Sequence, residues 1–170
     1  MKTFSLIILL VISGTLLSQE KYKLILDENS GKQVLIGEIT RNAFKDTSFA
    51  WWFNSEYDTY NPDKLVLDSI ARKLKDVDIT IVLGTWCSDS RREVPRFLKI
   101  LDSLKYSLDK IKMIAVDRNK EDLNGEVGSL SIELVPTFIF YREGKEIGRI
   151  EESPKETLEK DFNKIVNSEK

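Results

Sequence analysis

A continuous apolar run, Ile79-Thr80-Ile81-Val82-Leu83-Gly84, leads into the segment Trp86-Cys87-Ser88-Asp89-Ser90. Such an unbroken run is typical of a strand that is covered on both faces of its sheet. After the segment, apolar residues recur at helical spacing, at Val94, Phe97, Leu98, Leu101, Leu104 and Leu108. The pattern therefore predicts that a buried strand and an amphipathic helix join at Cys87.

Other patterns predict the elements around this junction. Further strands are predicted over residues 22–26, 33–39, 111–116, 138–141 and 146–150. Further helices are predicted over residues 40–54, from the cap at Asn61-Pro62, and from the capping box Ser153-Pro154-Lys155-Glu156. This order of elements predicts an α/β fold with a mixed sheet and helices on both faces.

The first 18 residues have the pattern of a secretory signal peptide. Lys2 supplies the positive charge, residues 4–12 are apolar except for Ser5, and cleavage after Ser18 would leave Gln19 first. The apolar stretch is shorter than the ~20 apolar residues that span a bilayer, so no membrane anchor is expected after cleavage. We therefore expect a periplasmic or secreted protein, with a buried N-terminal helix or strand as the alternative.

Composition excludes several kinds of active site. The chain has one cysteine and no histidine, which removes Cys–His and Ser–His–Asp catalysis and histidine-based metal sites. Carboxylates remain as the only metal ligands, so no metal and no cofactor are expected. The net charge is −2, with both signs interspersed, and no nucleic-acid-binding surface is predicted.

Cys87 occupies a position that favours a reactive thiolate. The N–H groups and the positive end of a helix dipole stabilise a negative sulfur there. Arg91 and Arg92 add positive charge within one turn, whereas Asp89 opposes the thiolate. Ser90 can donate a hydrogen bond to a thiolate but cannot attack a mixed disulfide, so a foreign thiol must release any bound substrate. A buried structural cysteine is the alternative.

The segment from Trp86 to Ser90 resembles the Trp-Cys-x-x-Cys motif of the thioredoxin superfamily, with serine in place of the second cysteine. Pro95 is similar to the proline of the first thioredoxin helix, Val135-Pro136-Thr137 resembles the cis-proline loop, and residues 142–148 are similar to the last hairpin. The resemblance covers about residues 77–166 and is greatest to exported bacterial thioredoxin-like proteins. It implies a thioredoxin-like three-layer sandwich with an N-terminal helical extension.

The resemblance also implies a division of the chain and a set of site residues. The expected segments are a signal peptide over 1–18, an extension with a short hairpin and an aromatic helix over 19–61, and a thioredoxin-like domain over 62–168. The implied catalytic residues are Cys87 and Ser90, and the implied substrate-binding residues are Trp86, Val135, Pro136 and Thr137. Ile81 stands where thioredoxins carry a buried acid, so the proton relay of the family is missing.

A cis bond before Pro136 would place the Val135 backbone beside the sulfur, where it can pair with an extended substrate. An ordinary trans proline that opens an edge strand is the alternative. The aromatic residues between 44 and 60 have two interpretations as well, as core packing against the sheet or as a partner-binding flap.

Two functions remain open on this sequence. The first is an exported thiol-disulfide oxidoreductase that acts on protein or small-molecule thiols and disulfides through one nucleophilic cysteine. The second is a non-catalytic peptide-binding or protein-binding module with the same fold. A peroxidase is disfavoured, because Gly84 holds the position of the threonine in the motif of that family.

Overall fold

The computed structural model describes residues 21–168, so the predicted signal peptide lies outside the described residues. This part of the chain forms β1 (Tyr22–Asp27), β2 (Lys32–Ile39), α1 (Thr47–Thr59), α2 (Lys64–Ala71), β3 (Val77–Leu83), α3 (Ser88–Ser103), β4 (Ile111–Ala115), β5 (Thr137–Arg142), β6 (Lys145–Glu151) and α4 (Leu158–Asn167). Within it, no helix is long and apolar enough to cross a bilayer.

The strands form one mixed sheet in the order β1-β2-β4-β3-β5-β6. The pair β3–β4 is parallel, and the other pairs are antiparallel. Side chains of β3 are buried on both faces, as the unbroken apolar run predicted. The thioredoxin-like α/β fold with a mixed sheet is confirmed, and β3 holds the centre of that sheet.

The two faces of the sheet are covered differently. All four α-helices contribute to the core cluster that contains Ile79, Ile81 and Leu83 of β3. The opposite face carries a smaller cluster of Val82, Ile114, Val116, Val127 and Val135, which draws no residue from an α-helix. The segment between β4 and β5 covers that face, with a 3₁₀ turn at Val127–Ser129. Helices were expected on both faces. The four α-helices cover one face, and the 3₁₀ turn at Val127–Ser129 is the helical element on the other.

The N-terminal segment is part of this architecture. β2 pairs with β4, so the hairpin β1–β2 extends the central sheet at one edge. α1 packs against α3, and its aromatic side chains Phe49, Trp52 and Phe53 lie in the main core. The division into an extension over 19–61 and a domain over 62–168 stays a prediction.

Three helices begin later than the sequence patterns predicted. The 40–54 prediction is divided into a 3₁₀ turn at Arg41–Lys45 and α1, because the Asp46 carboxylate accepts the Ser48 N–H at 2.8 Å. Asp63, rather than Asn61, caps α2 by accepting from Leu65 N. A side-chain oxygen that reaches a first-turn N–H decides where a helix begins.

The start of α4 shows the same competition most clearly. The predicted capping box at residues 153–156 lies outside the helix, and Thr157 is the cap, with its hydroxyl accepting from Lys160 N. The buried Asp161 carboxylate accepts from Lys155 N and Glu156 N, so these residues form a loop that folds back on the helix. A tertiary hydrogen bond here overrides a local sequence signal.

Candidate active site

Cys87 is the N-cap residue of α3, directly after the turn that follows β3. Its backbone is extended, with φ −84° and ψ 132°, and its side chain makes no capping hydrogen bond. The free thiol is half-buried and donates a hydrogen bond to the carbonyl oxygen of Val135 at 3.2 Å. A sulfur at this end of a 16-residue helix is close to N–H groups that lack an intrahelical partner.

The Val135–Pro136 peptide bond is cis and places Val135 opposite Cys87. The Pro136 carbonyl accepts from Glu152 N at 2.7 Å, whereas the Val135 carbonyl accepts from the Cys87 thiol. Thr137 was implied as a substrate-binding residue, but its side chain is fully buried and its hydroxyl donates to Leu134 O at 2.7 Å. Thr137 therefore shapes this loop from within.

Ser90 lies one helical turn after Cys87 and is fully buried. The sequence predicted that its hydroxyl would face the sulfur. In the structure the Ser90 Oγ atom accepts the Gly84 N–H at 3.1 Å. The oxygen satisfies a buried donor of the turn after β3, and an unpaired donor at such a place is costly. Ser90 thus holds the turn that carries Cys87, which sequence spacing alone did not indicate.

The indole of Trp86 is fixed on several sides. Its Nε1–H donates to Val116 O at 2.9 Å, and the Arg118 Cζ atom lies 4.9 Å from its ring centre. On another side the ring lies directly against Gly84, where an added Cβ would come within 2.6 Å of the indole Cε2 atom. The position therefore requires glycine for close packing, and Trp86 packs with Cys87 against the same small apolar cluster.

Replacing Gly84 with alanine is expected to displace Trp86 and destabilise the protein by about 1–3 kcal/mol, the usual cost of overpacking. Gly128→Ala is the matched control, because nothing lies within 4 Å of an added Cβ there. Urea unfolding of the two variants measures the difference. Equal unfolding midpoints would show that the contact between Gly84 and Trp86 does not restrain the turn.

The positive charges that the sequence placed near the sulfur are engaged by other groups. Arg92 forms ion pairs with Asp89 at 2.7 Å and with Glu93 at 2.6 Å. The Nε–H of Arg91 donates to Thr85 O at 2.7 Å and so supports the turn before Cys87. The positive charge of Arg92 and the negative charge of Asp89 therefore largely cancel in their electrostatic effect on the sulfur.

The hairpin β1–β2 contributes residues that sequence analysis did not identify. Asp27 at the end of β1 binds Arg118 through two hydrogen bonds of 2.8 Å and 2.9 Å, and the same guanidinium covers Trp86. The N–H of Leu35 in β2 donates to the buried Thr85 hydroxyl at 3.0 Å. The pairing of Arg118 with Asp27 could not be predicted locally, because the two residues lie 91 positions apart. The sequence showed only that Arg118 follows a central strand.

The side chain that β3 places below the site is apolar. Ile81 is fully buried in the main core, so β3 supplies no carboxylate below Cys87. Within residues 21–168, no group of three or more cysteine, aspartate or glutamate side chains is arranged to hold a metal ion.

A thiol at the N-terminus of a helix, facing a cis-proline turn beside a mixed sheet, defines a thioredoxin-type site. The thioredoxin family model matches residues 66–164, more than half of the chain. The protein therefore belongs to the thioredoxin family, and the resemblance inferred from the sequence is confirmed. Membership indicates a thiol-disulfide oxidoreductase-like function, because this family acts on protein thiols and disulfides.

Individual relatives are distant. Human thioredoxin is 29% identical over 100 residues, which cover 59% of this chain and 87% of the relative. Thioredoxin H9 of Arabidopsis thaliana is 28% identical over 103 residues, covering 59% of this chain and 69% of the relative. The crystal structure of a protein of unknown function from Pseudomonas aeruginosa has a TM-score of 0.51 and 14% identity, and covers 76% of this chain and 86% of that one. This last likeness concerns the fold alone.

Proposed function

We propose that this protein is an exported thiol-disulfide oxidoreductase that works through Cys87 alone. The observation that carries the proposal is a half-buried thiol at the N-terminus of α3, beside the Val135 carbonyl, in a chain with no second cysteine. Ser90 occupies the position of the resolving thiol and is bound to the Gly84 N–H. These observations support a nucleophile without an internal partner.

The reaction proceeds by two kinds of thiol exchange. The Cys87 thiolate attacks one sulfur of a substrate disulfide, forms a mixed disulfide with it, and releases the other sulfur as a thiolate that takes a proton from water. A small external thiolate then attacks the Cys87 sulfur of the mixed disulfide, releases the second thiol of the substrate and leaves a disulfide between Cys87 and the small thiol. A second small thiolate attacks the small-thiol sulfur of that disulfide, so the small-molecule disulfide forms and the Cys87 thiolate is released. For each substrate disulfide reduced to two thiols, two external thiols are oxidised to one disulfide.

Val135 supports the binding of an extended substrate. In the structure its carbonyl accepts from the Cys87 thiol. A thiolate has no proton to donate, so ionisation of Cys87 leaves this carbonyl free to accept an N–H from a substrate strand. The loop around Pro136 therefore serves as the docking edge, and Trp86 bounds the other side of the sulfur.

Export is the second part of the proposal. It rests on the charged, apolar and small-residue regions of residues 1–18, which lie outside the described residues. A periplasmic or secreted location would place Cys87 in a compartment where protein disulfides form and persist.

A non-catalytic binding module is the competing function, favoured by one specific observation. The site has neither a second thiol nor an acid at Ile81, so two parts of a complete disulfide-reduction cycle are absent from the described residues. In that case the Pro136 loop would bind peptides without any reaction at Cys87.

Mass spectrometry of the mixed disulfide with glutathione separates these functions. The native protein treated with oxidised glutathione should form the adduct on Cys87 faster than the same protein unfolded in urea, and reduced glutathione should remove it. Folding must accelerate a catalytic thiol, because the helix N-terminus exists only in the folded state. Cys87→Ser controls for other sites of reaction. A slower reaction in the folded state would support the binding module.

A further inference from the structure

We propose that Arg118 is a positioning residue of the Cys87 site, where its guanidinium is held by Asp27 and stacked on Trp86 so as to favour a charged sulfur. The inference rests on the proposed function, since it concerns the nucleophile of that reaction. It makes the N-terminal hairpin, which lies outside the matched family region, a working part of the active site.

The contact between Asp27 and Arg118 has the geometry of a specific pair. Both carboxylate oxygens accept from the guanidinium, at 2.8 Å from Nε and 2.9 Å from Nη2. The Asp27 carboxylate is 7% exposed and also accepts the Ser30 N–H. The hydrogen bond from Arg118, with those from Ser30, holds the pKa of Asp27 well below its usual range, so the pair stays ionised at neutral pH. Two parallel bonds give the guanidinium one orientation.

That orientation places the cation against Trp86, the residue next to Cys87. The distance of 4.9 Å from Cζ to the ring centre is within the range of a cation–π contact. The pKa of Arg118 is raised, mainly by its hydrogen bond to Asp27 and in part by Coulomb attraction to Asp27 and to the sulfur of Cys87. Trp86 and Cys87 pack against the same small cluster under the segment between β4 and β5.

The other charged groups near the sulfur are paired or directed elsewhere, so Arg118 is the cation that we assign to stabilising a charged sulfur. On α3, Asp89 and Arg92 are paired with each other, and Arg91 is turned to the Thr85 carbonyl. The loop before β5 presents the uncharged Val135 carbonyl. Asp27 on β1 binds the guanidinium, whose Cζ atom lies 4.9 Å from the centre of the Trp86 ring. Coulomb attraction joins this cation to the sulfur of Cys87.

Alkylation of Cys87 by iodoacetamide, a neutral reagent, tests the inference at two pH values. Arg118→Gln should react about threefold more slowly than wild type at pH 7, the size expected of one partly screened charge. At pH 10 the two rates should converge, because the sulfur is ionised in both proteins. A purely structural role would change both rates by the same factor, and that result would overturn the inference. Lys120→Gln, two residues along the same loop, is the control for net charge and should leave both rates unchanged.

A charge swap separates tethering from electrostatics. Asp27→Arg combined with Arg118→Asp can restore the ion pair but reverses its polarity, with the negative charge now on residue 118. We expect this double variant to be slower at pH 7 than Arg118→Gln, and recovery of the wild-type rate would overturn the inference. Glutathione adduct formation by wild type tests the proposed function separately. Normal adduct formation with an Arg118→Gln rate equal to wild type would reject the role of Arg118 alone.

Discussion

Ser90→Cys is expected to form an internal disulfide with Cys87 and to catalyse the reduction of insulin by dithiothreitol. The two positions are the N-cap and the third residue of α3, one turn apart, which is the spacing of a redox pair. A neighbouring thiol breaks a mixed disulfide at an effective concentration far above that of a millimolar external thiol. We therefore expect a rate at least about tenfold above wild type. The gain should stop short of an authentic dithiol enzyme, because Ile81 supplies no proton relay.

The matched control is Ser90→Ala, since Ser90 also accepts the Gly84 N–H in a buried position. Alanine leaves that N–H unpaired and should cost about 1–3 kcal/mol of stability without any gain in insulin reduction. Cys87→Ala gives the uncatalysed background. If wild type already matches a dithiol enzyme, the single-thiol mechanism is wrong. If Ser90→Cys forms no internal disulfide, the site is not built like that of a thioredoxin, and the binding module becomes the leading function.

Trp52→Ala is expected to lower the free energy of unfolding by about 3–5 kcal/mol, the range for removing a large aromatic side chain from a core. Trp52 is 4% exposed and meets Phe44, Phe49 and Phe53 edge to face. Alanine cannot fill the space between α1 and the sheet, so the loss combines lost burial with a residual cavity. Guanidinium unfolding followed by circular dichroism measures the effect.

The adjacent Trp51 provides the control within the same helix. It is 66% exposed, and Trp51→Ala should change the free energy of unfolding by no more than about 0.5 kcal/mol. The two substitutions remove the same side chain at neighbouring positions, so the difference reports burial alone. Similar losses in both variants would contradict the packing of α1 seen here. The burial of Trp52 and its aromatic neighbours supports core packing as the role of this region.

The part of the site that depends on residues close together in the chain is evident from the sequence alone. The apolar run of β3, the turn to Cys87 and the periodicity of α3 are contiguous, and each signal lies within a few residues of the feature it predicts. Helix starts were placed less well, because several side chains can serve as caps. At α4 the helix begins after Thr157 because the Asp161 carboxylate accepts from Lys155 N and Glu156 N. These hydrogen bonds form only in the folded chain.

The sequence by itself determined that a single thiol lies at the junction of a buried strand and a helix, in a thioredoxin-like order of elements. Tertiary structure decided what surrounds that thiol. Arg118 meets Asp27 only because the sheet order places β2 beside β4 and carries β1 to the same edge. Ser90 accepts the Gly84 N–H because the buried turn has a donor to satisfy. Partners that are distant in sequence are selected by strand order and burial, and these are properties of the whole fold.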